Sequence, residues 1–239
     1  MERAKHLYIA LAFTLYMFAA LANDEKQIYK AFISNDMNAW KTTMDNMSKN
    51  KNKTNEQILQ LINFQYGYIA WSIGNNKKQE AEYYIGLAET NIAVLEKQNY
   101  KLSDLYAYKS AIYGFKIGLN LLKAPFLGPR SIENAQKALQ YDTNNWFAYI
   151  QNANIYFYMP SIFENNKQKA VEYYEKALQL MEKSNVSKQY NWNYLNLMVT
   201  LAQAYKEVNN TEKAKQCIKK ILQIEPNFLW VKNELYFEF

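Results

Sequence analysis

Residues 202–228 read AQAYKEVNNTEKAKQCIKKILQIEPNF. Ala202 stands three residues before Tyr205, a polar turn follows, and Ala214, Ile218 and Ile221 then recur until Pro226. Spacings of four and three keep those last residues on one face of a helix. A small residue on such a face lets a partner helix come close. Proline cannot continue a helix, so Pro226 ends the second element. The stretch therefore predicts two helices folded back on each other.

The same face, a small residue, a larger one four later and a small or aliphatic one three after that, recurs upstream as Ala81/Ile85/Ala88, Ser131/Ala135/Ala138 and Ala170/Tyr174/Ala177. Periodic apolar stretches pair up before and around these sets: 56–74 with 77–98, 103–122 with 131–141, 145–158 with 167–183, and 193–208 with 211–224. An internal repeat of helix–turn–helix units predicts a stacked solenoid. The composition agrees: 239 residues contain only 6 glycines and 4 prolines, too few for the many tight turns of an all-β fold. Ahead of the repeats, two short helices break at Asn35-Asp36, and Met37, Trp40, Met44 and Met47 form a core stripe. A polar loop covers 48–55, where Thr54 and Gln57 have the spacing of a capping box. The organisation expected is a leader at 1–22, a helical pair with its loop at 23–56, and a solenoid of about four helix pairs plus a capping helix at 57–239.

The last unit resembles the tetratricopeptide repeat. Met198-x-x-Leu201-Ala202-x-x-Tyr205, then Ala214-x-x-x-Ile218, then Pro226 follow that family's order. The third unit keeps Ala153-x-x-Tyr156 and Ala170-x-x-x-Tyr174, with Asn152 where the family has an apolar residue. The second keeps KALQYDTNNW (137–146), with Thr143 in place of proline; in the first, Ala70 and Ala81 stand one residue too close. GPRSIENAQKAL (128–139) and YFYMPSIFENNKQKAVEYYEKAL (156–178) are also similar to small secreted bacterial proteins of this repeat class, a group without a defined activity. The resemblance implies an all-α helix–turn–helix solenoid that binds a protein or peptide, and it brings no catalytic, metal or cofactor motif.

The amino terminus carries a short basic leader, an uncharged apolar run at 7–22, and the small-x-small motif Ala20-Leu21-Ala22. That is the pattern of a secretory signal peptide, too short to span a bilayer. The expected protein is exported, periplasmic or secreted, and without a membrane span after cleavage near Ala22. The only histidine, His6, leaves with the leader, which removes Ser-His-Asp and Cys-His machinery. The single cysteine, Cys217, excludes an internal disulfide and fits a small core residue within a helix. The net charge of +6 is scattered rather than clustered, so nucleic acid is not expected as a partner.

The repeating small residues lie 50, 39 and 44 positions apart (81, 131, 170, 214), against about 34 in the family. The surplus falls in KAPFLGPR (123–130) and MPSIF (159–163), read as lengthened turns that either form a functional edge or cover the solenoid's rim. First helices line the concave face of such a solenoid. Their unspent residues are Tyr108, Ile112 and Phe115 in the second unit, Asn154, Phe157 and Tyr158 in the third, and Gln203 and Lys206 in the fourth. This stripe is either an open aromatic groove for a peptide or protein segment, or the core of a closed superhelix. A glycan is the alternative ligand, with Asn154 beside Phe157 and Tyr158 as its site. A two-carboxylate glycosidase fits poorly, because the glutamates alternate with lysines as ordinary surface pairs. Mass spectrometry of the protein from its native host is expected to find a mature chain beginning at Asn23. Intact Met1 in a cytoplasmic fraction would remove both the export reading and the argument from histidine.

Overall fold

The computed structural model describes residues 22–160, 166–184 and 189–238, and every regular element among them is helical. Helix α1 covers 22–34, and α2 covers Met37–Lys49. The first helix pair is α3 (Asn55–Gly74) and α4 (Lys78–Glu96), the second α5 (Leu102–Leu119) and α6 (Ala124–Tyr141). The third is α7 (Trp146–Tyr158) and α8 (Asn166–Lys183), the fourth α9 (Trp192–Glu207) and α10 (Thr211–Ile224). A short α11 (Leu229–Asn233) and a 3-10 turn follow. Each helix packs most extensively against its own pair-mate, then against the next pair. This is an all-α, tetratricopeptide-repeat-like solenoid.

All twelve repeating positions on α4, α6, α8 and α10 are at most 5% exposed. The face read from the Ala/Ser spacing is therefore the face each second helix turns to its neighbours. Asn152, the polar departure in the third unit, is buried but not wasted. Its amide donates to the Ala135 carbonyl of α6 at 3.1 Å and to Ala148 at 2.9 Å, tying two units together.

Asparagine does work at helix ends that glycine does elsewhere. Asn145, Asn191 and Asn210 accept backbone N–H groups at the starts of α7, α9 and α10. Asn35, Asn76, Asn99 and Asn209 take left-handed backbone angles after α1, α3, α4 and α9. Asparagine tolerates that conformation better than most residues. No described glycine has a positive φ, which accounts for a helical repeat protein with so few glycines. The Thr54–Gln57 capping box forms as its spacing implies, with Gln57 N–H donating to Thr54 Oγ1 at 3.2 Å and Thr54 N–H to Gln57 Oε1 at 2.9 Å.

One boundary differs from the sequence reading. Lys123–Arg130 is not a lengthened turn: a 3-10 turn at Leu121–Lys123 runs directly into α6, which begins at Ala124. Pro125 falls in the first turn, where no N–H is needed, and Pro129 removes only one rung of the helix. Of the MPSIF stretch, 161–163 lies outside the described residues.

The two ends of the described solenoid meet. Phe32 of α1 packs on Phe228 at 4.9 Å between ring centroids, and the Tyr29 hydroxyl donates to Glu225 at 3.0 Å. The described solenoid thus bends far enough for its N-terminal helix to rest on its C-terminal cap. Ala214 is fully buried and Lys215 beside it is exposed. Ala214→Leu is expected to overpack the crossing and cost about 1–3 kcal/mol, with Lys215→Leu nearly neutral. Denaturant melts of the two variants check the ranking.

Candidate functional site

The inner face is built by the first helices α3, α5, α7 and α9. Asn63 of α3 is their meeting point. Its amide donates to the Tyr108 hydroxyl of α5 at 3.0 Å and to Asn193 Oδ1 of α9 at 3.2 Å. Its carbonyl oxygen accepts from Trp192 Nε1 and Asn193 Nδ2, both at 3.0 Å. Every hydrogen-bonding position of the side chain is used. One turn on, the Tyr66 ring lies 5.2 Å from Phe147 of α7, 5.4 Å from Phe115 and 6.4 Å from Trp192. Burial pushes the Tyr66 and Tyr108 phenols up, so they stay neutral hydrogen-bonding groups.

This closure decides where the residues read from the sequence stand. Tyr108 and Ile112 are buried under it, and the Tyr108 ring packs on Phe147 at 4.5 Å. Phe115 is half-buried against Tyr66. Asn154 accepts from the buried Tyr174 hydroxyl at 2.6 Å and donates to Gln151 at 3.2 Å, so its amide serves the fold. Phe157 is half-buried with the Lys167 ammonium 4.1 Å from its ring centre, and Tyr158 is 76% exposed. Gln203 is half-buried and Lys206 exposed. Tyr66, not singled out from the sequence, is the ring that joins the units.

On one side of the Asn63 bridge the closure leaves an apolar pocket of about 460 Å³. Seven aromatic side chains line it: Phe32 of α1, Trp40 of α2, Tyr66 and Trp71 of α3, Trp192 of α9, and Phe228 and Trp230 at the C-terminal cap. Four of the chain's five tryptophans are among them. Trp40, Trp192 and Phe228 are buried, and the half-buried Phe32, Tyr66, Trp71 and Trp230 complete the wall. Trp40 and Trp192 meet edge to face at 5.0 Å, and Trp40 Nε1 donates to the Phe64 carbonyl at 3.0 Å. The polar lining is sparse: Asn35, Asn75, Asn196 and Glu234. Pockets of about 300–1,000 Å³ with apolar walls and a few polar handles are the usual form of a ligand site.

Gly67 makes the pocket possible. A Cβ there would lie 2.6 Å from Trp40 Cζ2 and 2.8 Å from Trp192 Cη2. The glycine is needed for close approach, not for backbone conformation. Sequence reading missed Gly67, Trp71, Trp192 and Trp230, because the pocket gathers both chain ends and no local spacing records that. The usable signal was the tryptophan count together with a glycine inside the aromatic run FQYGYIAW (64–71).

A second cavity, of about 590 Å³, is lined by Asn63, Trp192 and other aromatic side chains and also carries the charged Glu25, Glu56, Lys101 and Asp104. Burial raises the Asp104 carboxyl, against a hydrogen bond from Asn145 and the charge of Lys101. Burial also works to raise Glu56, but hydrogen bonds from Tyr100 and Lys101 outweigh it and hold its pKa below the ordinary value. Gly67→Ala is expected to push the tryptophans apart, cost about 1–3 kcal/mol and shift the intrinsic fluorescence. Gly86→Ala, where an added Cβ meets nothing within 4 Å, is expected to be neutral or stabilising by about 0.5–1 kcal/mol. Thermal melts and emission spectra of both variants check this.

A tetratricopeptide repeat family model matches residues 162–183 and 195–228. No curated protein matches the chain. Among solved structures, the HusA haemophore from Porphyromonas gingivalis is similar with a TM-score of 0.60 at 18% identity, over 81% of this chain and 93% of that one. BtubC (BKLC) from P. vanneervenii is similar with a TM-score of 0.40 at 12% identity, over 81% of this chain and 73% of that one. NprR in complex with its cognate peptide NprX gives 0.33 at 18% identity, over 99% of this chain and 78% of that one. The repeat faces, the helix pairing and the family-model match together make this chain a tetratricopeptide-repeat-like α-solenoid protein.

Proposed function

We propose that the protein is a non-enzymatic interaction module that seats an apolar, aromatic group in the tryptophan-lined pocket. The observation that carries the reading is the convergence of seven aromatic side chains, from both ends of the chain, on one apolar cavity. Rigid aromatic walls bury large area at low entropy cost, as binding hot spots do. The repeat scaffold favours a protein or peptide segment as the occupant, inserting one or two apolar anchors. A segment running along all four units fits less well, because Tyr66 and Asn63 fill the middle of the concave face. We also propose, from the leader pattern of residues 1–22, that the protein is exported and binds in the cell envelope or outside the cell.

A second reading is a flat hydrophobic small molecule of the porphyrin type. The likeness to a haemophore over 93% of that chain favours it. The only histidine is His6, so retention in this pocket would rest on ring stacking rather than on an imidazole ligand.

Four tryptophans in the wall make intrinsic fluorescence a direct reporter. Titration with aromatic peptides and, separately, with protoporphyrin is expected to quench emission for the true ligand class and not for the other. Trp71→Ala and Trp230→Ala are each expected to weaken that binding by roughly tenfold or more while the far-UV circular dichroism holds. Lys176→Ala, on the exposed side of α8, is expected to change neither. Binding that survives both tryptophan substitutions would move the ligand to another surface.

A further inference from the structure

The start of α6 carries a feature the pocket does not use. Leu121, Leu122 and Phe126 are 75%, 84% and 76% exposed, the most exposed cluster of large apolar side chains in the described chain. They do not dangle. Asn120 Oδ1 accepts the Leu122 N–H at 3.1 Å, and the Lys123 N–H donates to the Asn120 carbonyl at 3.0 Å, fixing the turn. Leu122 and Phe126 then lie one helical turn apart on one face, with Arg130 a further turn along.

Along the chain the charges nearest them are cationic, up to Glu133, three residues past Arg130. From Leu105 to Ile132 the sequence holds Lys109, Lys116, Lys123 and Arg130 and no carboxylate. Lys109 and Lys116 are taken by Glu96 and Glu89. Lys123, inside the apolar turn, and Arg130, past it, are exposed and form no ion pair among the described residues. The patch is small. Two leucines and a phenylalanine fall short of the ~800 Å² per partner of a stable protein interface. Projecting apolar side chains beside cations that each gain about 1 kcal/mol at an anionic surface suit weak, reversible contact at a lipid headgroup boundary. No described helix is long and apolar enough to cross a membrane.

We propose that the 121–130 turn docks the protein on an anionic lipid surface, Leu122 and Phe126 entering the headgroup–acyl boundary and Lys123 and Arg130 resting on the headgroups. The surface is separate from the tryptophan-lined pocket, whose lining includes none of these residues, so each reading can fail without the other.

The test reads the site locally in the full chain. Leu122→Cys in a Cys217→Ala background is labelled with an environment-sensitive fluorophore and mixed with vesicles of phosphatidylglycerol and phosphatidylcholine in equal parts. The label is expected to brighten and shift to the blue with these vesicles and not with phosphatidylcholine alone. A label at Lys176→Cys on α8 is expected to stay silent in both. Adding Lys123→Ala and Arg130→Ala is expected to weaken the response by about fivefold for each cation removed, with circular dichroism unchanged. A silent Leu122 label overturns the proposal. So does a response that is equal with both lipid mixtures or indifferent to loss of the two cations, since either would assign binding to another segment or to apolar contact alone.

Discussion

The side-chain amide of Asn63 holds the concave face shut. It joins α3 to α5 through Tyr108 and to α9 through Trp192 and Asn193. A polar group in such a place is stable only when all its hydrogen bonds are made, and here they are. The consequences run outward from it. Tyr66 can stack against rings from three other helices only because Asn63, one turn before it, fixes the distance between α3 and α9. Two cavities remain beside the bridge, one walled by the tryptophans and one carrying Glu25, Glu56, Lys101 and Asp104.

The apolar pocket depends on a second closure, between the chain ends. Phe32 reaches Phe228, and Tyr29 reaches Glu225 across almost the whole sequence. Repeat solenoids usually leave their ends apart, each repeat contacting only its neighbours. Here the N-terminal helical pair behaves as a wall rather than as a simple cap, because its Trp40 indole is inserted beside Gly67 and Trp192. The tertiary fold turns what would be an open groove into a bounded pocket. That geometry suits a compact aromatic group better than an extended chain.

Asparagine gives the molecule its economy of turns. The same residue type caps helix starts through its side chain and ends helices through a left-handed backbone. Both roles follow from a short side chain able to hydrogen-bond its own backbone. A chain rich in asparagine can therefore be regular and tightly turned with 6 glycines in 239 residues.

Local order was legible in the amino-acid sequence by itself. The Ala/Ser–large–small spacing on α4, α6, α8 and α10 determined which helix faces are buried, and the helix pairs lie within a few residues of their periodic stretches, apart from the start of α6. That exception shows the limit of local rules: KAPFLGPR, with Pro125 and Pro129, reads as a lengthened turn, yet the first turn of a helix needs no N–H and one lost rung is tolerated. The binding face could not be settled in the same way. Tyr108 and Tyr158 both belong to the first-helix stripe read from the sequence, and one is buried while the other is 76% exposed. Periodicity reports which side of a helix is apolar. It does not report how far the solenoid bends, and the bend alone brings Asn63 to Trp192 and Phe32 to Phe228. Helix register is set by neighbours three and four residues away, whereas the pocket is set by contacts between residues more than a hundred positions apart. Only the tertiary structure holds those.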